Sequence, residues 1–261
     1  MNSPTPSQLW EQLAPQWMLD CPAWLEDIFF NVYKCFIHDD RYMMFIKGLG
    51  NTLLLTLFAL LIGIALGVVV SLVRVTWDKN GSEMRGPAKW ILGIFNAISK
   101  VYLTVIRGTP VVVQILLLNF VVFATSRNKI LVGCLCFGIN SGAYVAEIFR
   151  SGIMSIDVGQ MEAGRSLGFG YIPTMRHIIL PQAFKNVLPP LCNEFIVLLK
   201  ETAVVGYIGL SDLTYAASTV GGATYEYLFP LLLAAIIYLI LVIFFTHLVG
   251  KLERRLRNSE R

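Results

Sequence analysis

The sequence contains little charge. Only 15% of its 261 residues are charged, whereas 56% are hydrophobic, a composition that excludes an ordinary soluble domain. No acidic or basic residue occurs from Gly48 to Val73, and His247 is the only one from Tyr227 to Leu248. Each stretch exceeds the roughly 20 residues that a helix needs to cross about 30 Å of hydrocarbon. Since the alternating pattern of a membrane β-barrel is missing, the sequence predicts an all-α membrane protein.

Motifs for nucleotide, metal and nucleophilic chemistry are also missing from the sequence. It has no glycine-rich loop ending in Lys-Ser or Lys-Thr, which would hold a phosphate chain, and no Gly-x-Ser-x-Gly motif. The three histidines are isolated, and the spacing of Cys134 and Cys136 does not suit a zinc site. We therefore expect a non-catalytic chain without a cofactor of its own. If ATP drives its function, another subunit binds the ATP.

The apolar stretches predict about five transmembrane helices. Segment 90–106 could form a sixth span, but it carries Lys100 and leads into Arg107. We interpret it as an amphipathic or interfacial helix that precedes the second span, with Pro110 ending it. The five predicted spans are residues 48–73, 109–125, 130–149, 187–210 and 227–248.

Lysine and arginine set the predicted orientation. With an extracytoplasmic N-terminus, the cytoplasmic segments 74–89, 150–186 and 251–261 hold thirteen basic residues, whereas the outer segments hold five. Basic residues concentrate on the cytoplasmic side of membrane proteins. Arg127 and Lys129 run against this bias. We therefore predict that the N-terminus lies outside and the C-terminus in the cytoplasm.

We predict that residues 1–46 form an extracytoplasmic tail that precedes a transmembrane domain of residues 47–261. Apolar residues recur at helical spacing from Trp24 to Phe36. This pattern favours an interfacial helix on the outer leaflet with Trp24 and Tyr33 at headgroup level, and a docking surface for an external partner is the alternative. Cys21 and Cys35 could form a disulfide, but nothing in the sequence requires one.

A long polar loop, residues 151–185, lies between the third and fourth predicted spans. Asp157 can cap a short helix, and Gly168 can end it in a left-handed conformation. A second amphipathic run, residues 174–180, returns toward the membrane. Since small residues allow close approach and Glu162 can bond to an arginine, we predict an exposed surface that contacts another protein. Its residues are Glu162, Ala163, Gly164, Leu167, Gly168, Leu180 and Pro181.

The order of the short motifs in this loop resembles a known signature. Glu162-Ala163-Gly164, followed by Gly168 and by Ile178-x-Leu180-Pro181, is similar to the loop of binding-protein-dependent ABC importer permeases, although the family's second alanine is Gly164 here. Further short motifs resemble those of the polar amino-acid uptake branch of this family. They lie at residues 50–53, 107–110, 143–150, 176–183 and 199–202. The resemblance covers about residues 47–250.

The resemblance implies a type I importer permease fold in the bacterial cytoplasmic membrane. Two permease copies, identical or paralogous, would pair with two ABC ATPase subunits that hold ATP and Mg. An extracytoplasmic solute-binding protein would deliver a polar amino acid. Residues 151–185 would then be the coupling loop that docks on the ATPase and drives alternating access.

Ionisable residues within the fourth predicted span are candidates for a substrate pathway, because charge in hydrocarbon is costly. Glu194 and Glu201 share one helix face, and Asn193 and Lys200 share the adjoining face. These four residues could line the pathway, or Lys200 and Glu201 could form a structural ion pair. Glu147 is better explained by pairing with Arg150 or a loop arginine.

Two other classes of protein remain as alternatives. A secondary transporter or channel not coupled to ATP would need an inverted repeat or a filter, and neither is visible. A membrane scaffold without a pathway would not explain the ionisable residues of the fourth predicted span. The sequence does not identify the amino acid or distinguish a homodimer from a heterodimer.

Overall fold

A computed structural model describes residues 5–258, and these residues form helices and turns without any β-strand. Short π-helical and 3-10 segments extend several of the helices, at Tyr33–Ile37, His38–Asp40, Leu118–Val122, Met175–Ile179 and Thr202–Ile208. The α-helices are α1 (Pro6–Leu13), α2 (Gln16–Leu19), α3 (Ala23–Val32), α4 (Tyr42–Asn80), α5 (Pro87–Gly108), α6 (Val111–Leu117), α7 (Lys129–Met154), α8 (Val158–Ser166), α9 (Tyr171–Thr174), α10 (Leu180–Glu201), α11 (Leu213–Thr224) and α12 (Leu228–Asn258).

Four of the described helices are long and apolar enough to cross a membrane: α4, α5, α7 and α12. Two of the predicted spans, residues 48–73 and 130–149, lie inside α4 and α7, and a third, residues 227–248, lies inside α12 except for Tyr227. The fourth predicted span, residues 187–210, corresponds to α10 followed by a 3-10 segment. Helix α10 has 22 residues but is not among the four apolar helices, and it carries Pro189 and Pro190 in its interior.

The second predicted span is corrected by the structure. Residues 109–125 provide only the apolar helix Val111–Val122, which is about 18 Å long. Helix α5, predicted as interfacial, has the length and composition of a span instead. Its polar residues Asn96 and Ser99 are buried, whereas apolar residues such as Trp90 and Val101 are exposed. The amphipathic pattern of α5 therefore reflects polar side chains that face inward, not toward water.

The chain forms two compact units, of which the first comprises residues up to Leu53 and Ala203–Leu241. Its apolar core joins residues 35–45 to α11 and the first part of α12 through Cys35, Phe45, Leu213, Val220 and Ala234. Cys21 and Cys35 are both free thiols and do not form a disulfide. The Cys35 thiol donates instead to Thr224 Oγ1 at 3.8 Å, and burial raises the pKa of the Cys35 thiol.

The motif of residues 50–53 helps to hold the turn before α11. Asn51 Nδ2 donates to Ser211 O at 2.6 Å, and Thr52 Oγ1 accepts from Leu213 N at 3.3 Å. A Cβ at Gly48 would lie 2.6 Å from Asp212 O, so only glycine permits this approach of the two backbones. This turn is thus fixed by a close contact and two hydrogen bonds from the start of α4.

The second unit comprises Leu54–Thr202 and residues from Val242 onward, and α7 packs along α4 within it through small residues. A Cβ at Gly138 would lie 2.6 Å from Ile62 Cγ2, and one at Gly67 would lie 2.6 Å from Val145 Cγ1. Helix α10 makes the same kind of contact, since a Cβ at Gly152 would lie 2.4 Å from Val187 Cγ2. Small residues at helix contacts are typical of membrane bundles, where close van der Waals packing drives helix association.

The fully buried Asp212 is the N-cap of α11. Its carboxylate accepts from Thr214 N and Tyr215 N, both at 3.0 Å, and from the Tyr238 hydroxyl at 3.4 Å. Burial raises the pKa of the Asp212 carboxyl, while the hydrogen bonds from Tyr215 N and Thr214 N act in the opposite direction. Asp157, the N-cap of α8, is by contrast exposed.

We predict that Asp212→Ala destabilises the protein much more than Asp157→Ala does. A lost N-cap costs about 0.5–2 kcal/mol, and buried donors left without a partner cost about 1–3 kcal/mol more. Thermal unfolding of the two purified variants in detergent measures the difference, with Asp212→Asn as a variant that retains an acceptor. Equal melting temperatures for Asp212→Ala and Asp157→Ala would contradict the structural role of Asp212.

Candidate functional site

The predicted short helix in the loop is confirmed as α8. Asp157 Oδ1 accepts from Gly159 N at 2.6 Å and caps its start. At its end, Gly168 has a φ of +84°, and Phe169 N donates to Gly164 O at 3.0 Å. A left-handed glycine with a hydrogen bond back into the last turn is a common helix C-cap. The chain resumes as α9, the π-helical segment Met175–Ile179 and α10, with Pro181 in the first turn of α10.

Gly164 is buried, unlike its neighbours in α8. A Cβ at this position would lie 2.4 Å from Cγ2 and 2.7 Å from Oγ1 of Thr174, and Thr174 is fully buried. The prediction that Gly164 leaves room for a partner is therefore wrong. Its missing side chain leaves room for Thr174, so that α8 and α9 can pack closely together within the loop.

The other predicted contact residues, Glu162, Ala163, Leu167, Gly168, Leu180 and Pro181, are all exposed. Between residues 158 and 174, three further large apolar side chains are exposed that are not among the predicted contact residues: Val158 (72%), Phe169 (48%) and Ile172 (75%). Leu167 is 74% exposed as well. Large apolar residues that the fold leaves uncovered mark a surface for contact with another molecule. We call Val158, Leu167, Phe169 and Ile172 the loop patch.

The charged residues of α10 divide between buried and exposed positions. Glu194 is 8% exposed, and one of its carboxylate oxygens accepts from the fully buried Ser141 hydroxyl of α7 at 2.8 Å. Glu201 is half-buried, whereas Asn193 and Lys200 are exposed. Within the described residues, Lys200 and Glu201 are not within ion-pair distance. We expected all four residues to face the bundle interior. Glu194 and Glu201 do so, with Ser141 as an additional polar residue on that side, but the expectation is wrong for the exposed Asn193 and Lys200.

Glu147 belongs to an ion-pair network and is not isolated in the membrane. Its carboxylate lies 3.3 Å from Arg150 Nε and 4.0 Å from Arg107. Arg150 also reaches Asp78 at 3.1 Å, and the Arg107 guanidinium lies over the Tyr144 ring at 5.5 Å. The predicted pairing of Glu147 with Arg150 is confirmed, and this network ties the ends of α4, α5 and α7 together.

Gln114 provides hydrogen bonds to the backbone around residues 108–110, where the helix is interrupted between α5 and α6. The Gln114 amide donates to Ile106 O at 2.8 Å and to Thr109 O at 3.0 Å, two carbonyls at the end of α5. Its oxygen accepts from Asn140 Nδ2 of α7 at 3.0 Å. Pro110 lacks the N–H that would continue the helix. One side chain therefore replaces the missing helical hydrogen bonds and links the break to α7.

The described residues contain no group of three His, Cys, Asp or Glu side chains that could hold a metal ion. That the chain carries no cofactor remains a prediction.

These features define a membrane-embedded transport subunit with a helical contact loop and polar side chains held inside its helix bundle. The chain belongs to the family of binding-protein-dependent transport system inner membrane components, whose family model matches residues 88–258. The protein is thus a multi-pass permease subunit of an ABC importer, and the alternative of a transporter or channel without ATP coupling is disfavoured.

Curated relatives match most of the chain. The arginine transport system permease protein ArtQ of Bacillus subtilis is 37% identical over 218 residues, which is 82% of this chain and 93% of the relative. A putative glutamine transport system permease protein GlnP of Rickettsia typhi is 34% identical over 219 residues, covering 83% and 94% of the two chains.

Solved structures share the fold. A chain of a crystal structure titled as an amino acid ABC transporter with histidines has a TM-score of 0.72 and 40% identity, covering 82% of this chain and 94% of that chain. A chain of an inward-facing MetNI methionine ABC transporter has a TM-score of 0.68 and 17% identity over 84% and 98%, which supports the fold alone.

We predict that the effect of Gly164→Ala changes sign with the residue at position 174. Beside Thr174, the added methyl overpacks the contact and costs about 1–3 kcal/mol. In a Thr174→Gly background the three nearest atoms, Cγ2, Oγ1 and Cβ of Thr174, are all absent, and alanine at position 164 should stabilise α8 by up to about 1 kcal/mol through its helix propensity. Hydrogen exchange of the α8 amides in the four variants measures both effects. Gly164→Ala acting equally in both backgrounds would exclude the contact.

Proposed function

We propose that the chain is a permease subunit that imports polar amino acids by alternating access, with ATP hydrolysed in separate ATPase subunits. The loop patch is the observation that carries the coupling to ATP. Its four exposed apolar side chains lie on α8, the turn after it and α9, in a polar loop outside the predicted spans, and an ATPase docked on this loop would cover them. Relatives named as arginine and glutamine permeases support the substrate class.

The proposed orientation places the N-terminus outside and the C-terminus in the cytoplasm. The excess of basic residues in segments 74–89, 150–186 and 251–261 supports it. In this orientation the loop patch faces the cytoplasm, where ATP is available. The proposed location is the cytoplasmic membrane of a bacterium.

The proposed assembly contains two permease copies, identical or paralogous, two ABC ATPase subunits with their ATP and Mg, and an extracytoplasmic solute-binding protein. Family membership supports these partners in general. Within the coupling loop, residues 151–185, we propose that Glu162, Ala163, Leu167, Gly168, Leu180 and Pro181 contact the ATPase together with the loop patch. Gly164 would keep α8 and α9 close together through its contact with Thr174.

We predict that Leu167→Ser and Ile172→Ser weaken binding to the ATPase without unfolding the permease. Both side chains are about three-quarters exposed, so their truncation removes no internal packing. Burying a leucine or isoleucine side chain is worth about 1.5–3 kcal/mol, so each change should weaken binding at least several-fold. Co-purification of the ATPase and coupled ATP hydrolysis in liposomes measure the loss.

The matched control is Leu13→Ser, which removes a leucine of similar exposure, 66%, from the N-terminal tail. It should leave ATPase binding unchanged. Glu162→Ala should also reduce coupling, because the carboxylate is proposed to accept hydrogen bonds from an arginine of the ATPase. If the loop variants still assemble and remain fully coupled, the loop is not the ATPase contact.

We further propose that Asn193, Glu194, Lys200 and Glu201 line the substrate pathway. Buried Glu194 bonds to Ser141, while the exposed Asn193 and Lys200 remain available to substrate or to a second permease copy. A buried carboxylate in a membrane helix is costly, and function is the usual reason for retaining one.

We predict that Glu201→Gln and Lys200→Gln change the KM or the maximal rate of amino-acid uptake in liposomes. Gln matches Glu in size and keeps a polar group at position 200, and both changes remove the charges that would meet the charged ends of an amino acid. Ser141→Ala serves as the comparison, because it removes the structural partner of Glu194 and leaves both charges in place. Unaltered uptake kinetics in both charge variants would exclude these residues from the pathway.

A further inference from the structure

The N-terminal tail folds as a small helical layer around Trp10. The Trp10 ring lies 6.1 Å from Phe30 and 5.4 Å from Tyr33, and Trp17 lies 5.7 Å from Phe29. Tyr33 is buried in this cluster, at 7% exposure, so its predicted place at the membrane surface is wrong. The inner side of α3 thus packs against α1 and α2.

The tail packs against the rest of its unit. Cys35 is fully buried in the core that contains Phe45 and α11. Arg41 donates to Lys34 O at 2.6 Å and closes the turn into α4. The uncharged stretch of α4 begins at Gly48, about 9 Å after the helix starts at Tyr42. The tail therefore lies beside the point where α4 enters hydrocarbon.

The outer side of α3 is also apolar. Trp24 (64%), Ile28 (38%) and Val32 (36%) recur every fourth residue and are exposed, so they form one stripe along the helix. Exposed Ile37 follows the stripe, and exposed Met43 and Ile46 continue into α4. The apolar surface of the tail is thus continuous in sequence with a membrane-spanning helix.

The exposed aromatic residues of this unit are of the kind found at membrane interfaces. Among the described residues, its exposed aromatic side chains are all Trp or Tyr, whereas those of the other unit are mostly Phe. Trp and Tyr prefer the headgroup level because each has an apolar ring and a polar group. The exposed residues are Trp17, Trp24, Tyr42, Tyr207, Tyr215, Tyr225 and Tyr227.

We propose that the tail is a lipid-binding collar, whose α3 stripe inserts into the headgroup region of the bilayer beside α4. Residues 5–41 carry six carboxylates and only two basic side chains, Lys34 and Arg41. Attraction to anionic lipid therefore does not hold the collar in place. The binding energy comes from apolar and aromatic burial, as in interfacial helices, so zwitterionic phospholipid suffices and salt has little effect.

The test follows the fluorescence of Trp24 in the full chain, reconstituted in phosphatidylcholine vesicles. Trp17, Trp77 and Trp90 are changed to Phe, and Trp10 is kept because it packs inside the tail. Comparison with the same variant carrying Trp24→Phe isolates the Trp24 signal. We expect blue-shifted emission that is quenched by phosphatidylcholine brominated near the headgroup, more than by lipid brominated near the chain ends, at both low and high salt.

Two outcomes would overturn the collar. Trp24 could be quenched freely by aqueous acrylamide and not by brominated lipid, which would place the stripe in water. It could instead become shielded from acrylamide only when the solute-binding protein is added, which would make the stripe a protein-docking surface. An amino-acid uptake assay in the same vesicles tests the proposed transport function separately, because lipid contact by Trp24 does not depend on the substrate.

Discussion

Hydrocarbon offers no hydrogen-bond partner to a backbone amide, and most of this structure follows from that constraint. Within a helix each carbonyl finds its own amide, but every break exposes carbonyls that need another donor. The break at residues 108–110 shows how this need is met. The Gln114 amide donates to two carbonyls at the end of α5 and accepts from Asn140. A helix interruption in an apolar region thus requires a polar side chain from the next turn and a second one from a neighbouring helix.

The same constraint explains where the remaining polar side chains lie. Asn96 is buried in α5 and accepts from Arg74 of α4 at 2.7 Å, while the outer face of α5 is apolar. In a soluble protein the polar face of a helix would meet water. Here the apolar face is the outer one, and polar pairs such as Arg74–Asn96 and Ser141–Glu194 connect helices from within. Close packing of Gly152 of α7 on Val187 of α10 brings these two helices near enough for the Ser141–Glu194 bond.

Much of the fold could be predicted from the sequence, because a long apolar stretch without charged residues strongly indicates a transmembrane helix. The stretch 48–73 lies inside α4, and 227–248 lies inside α12 except for Tyr227. Local chemistry alone was sufficient to predict the Asp157 cap and the Gly168 terminus of α8. The sequence did not predict that α5, and not residues 109–125, has the length and composition of a span. Periodicity reveals an amphipathic helix but not which of its faces packs against the protein. The burial of Gly164 was equally hidden, since it depends on Thr174 in a different helix.

Helix α10 combines features that each lower the stability of a membrane helix. Pro189 and Pro190 remove two backbone donors from its interior, and Glu194 places a carboxyl inside the bundle with the Ser141 hydroxyl as its hydrogen-bond partner. A helix selected for stability alone would replace the carboxyl with an apolar side chain. Local departures of this kind concentrate at functional positions, where the rest of the fold supplies the missing stability. The close packing of Val187 on Gly152 supplies part of it, because it fixes α10 against α7 at the end nearest the coupling loop. A displacement of that loop would therefore move α10 together with its packed end, and with it the side chains proposed to meet the substrate.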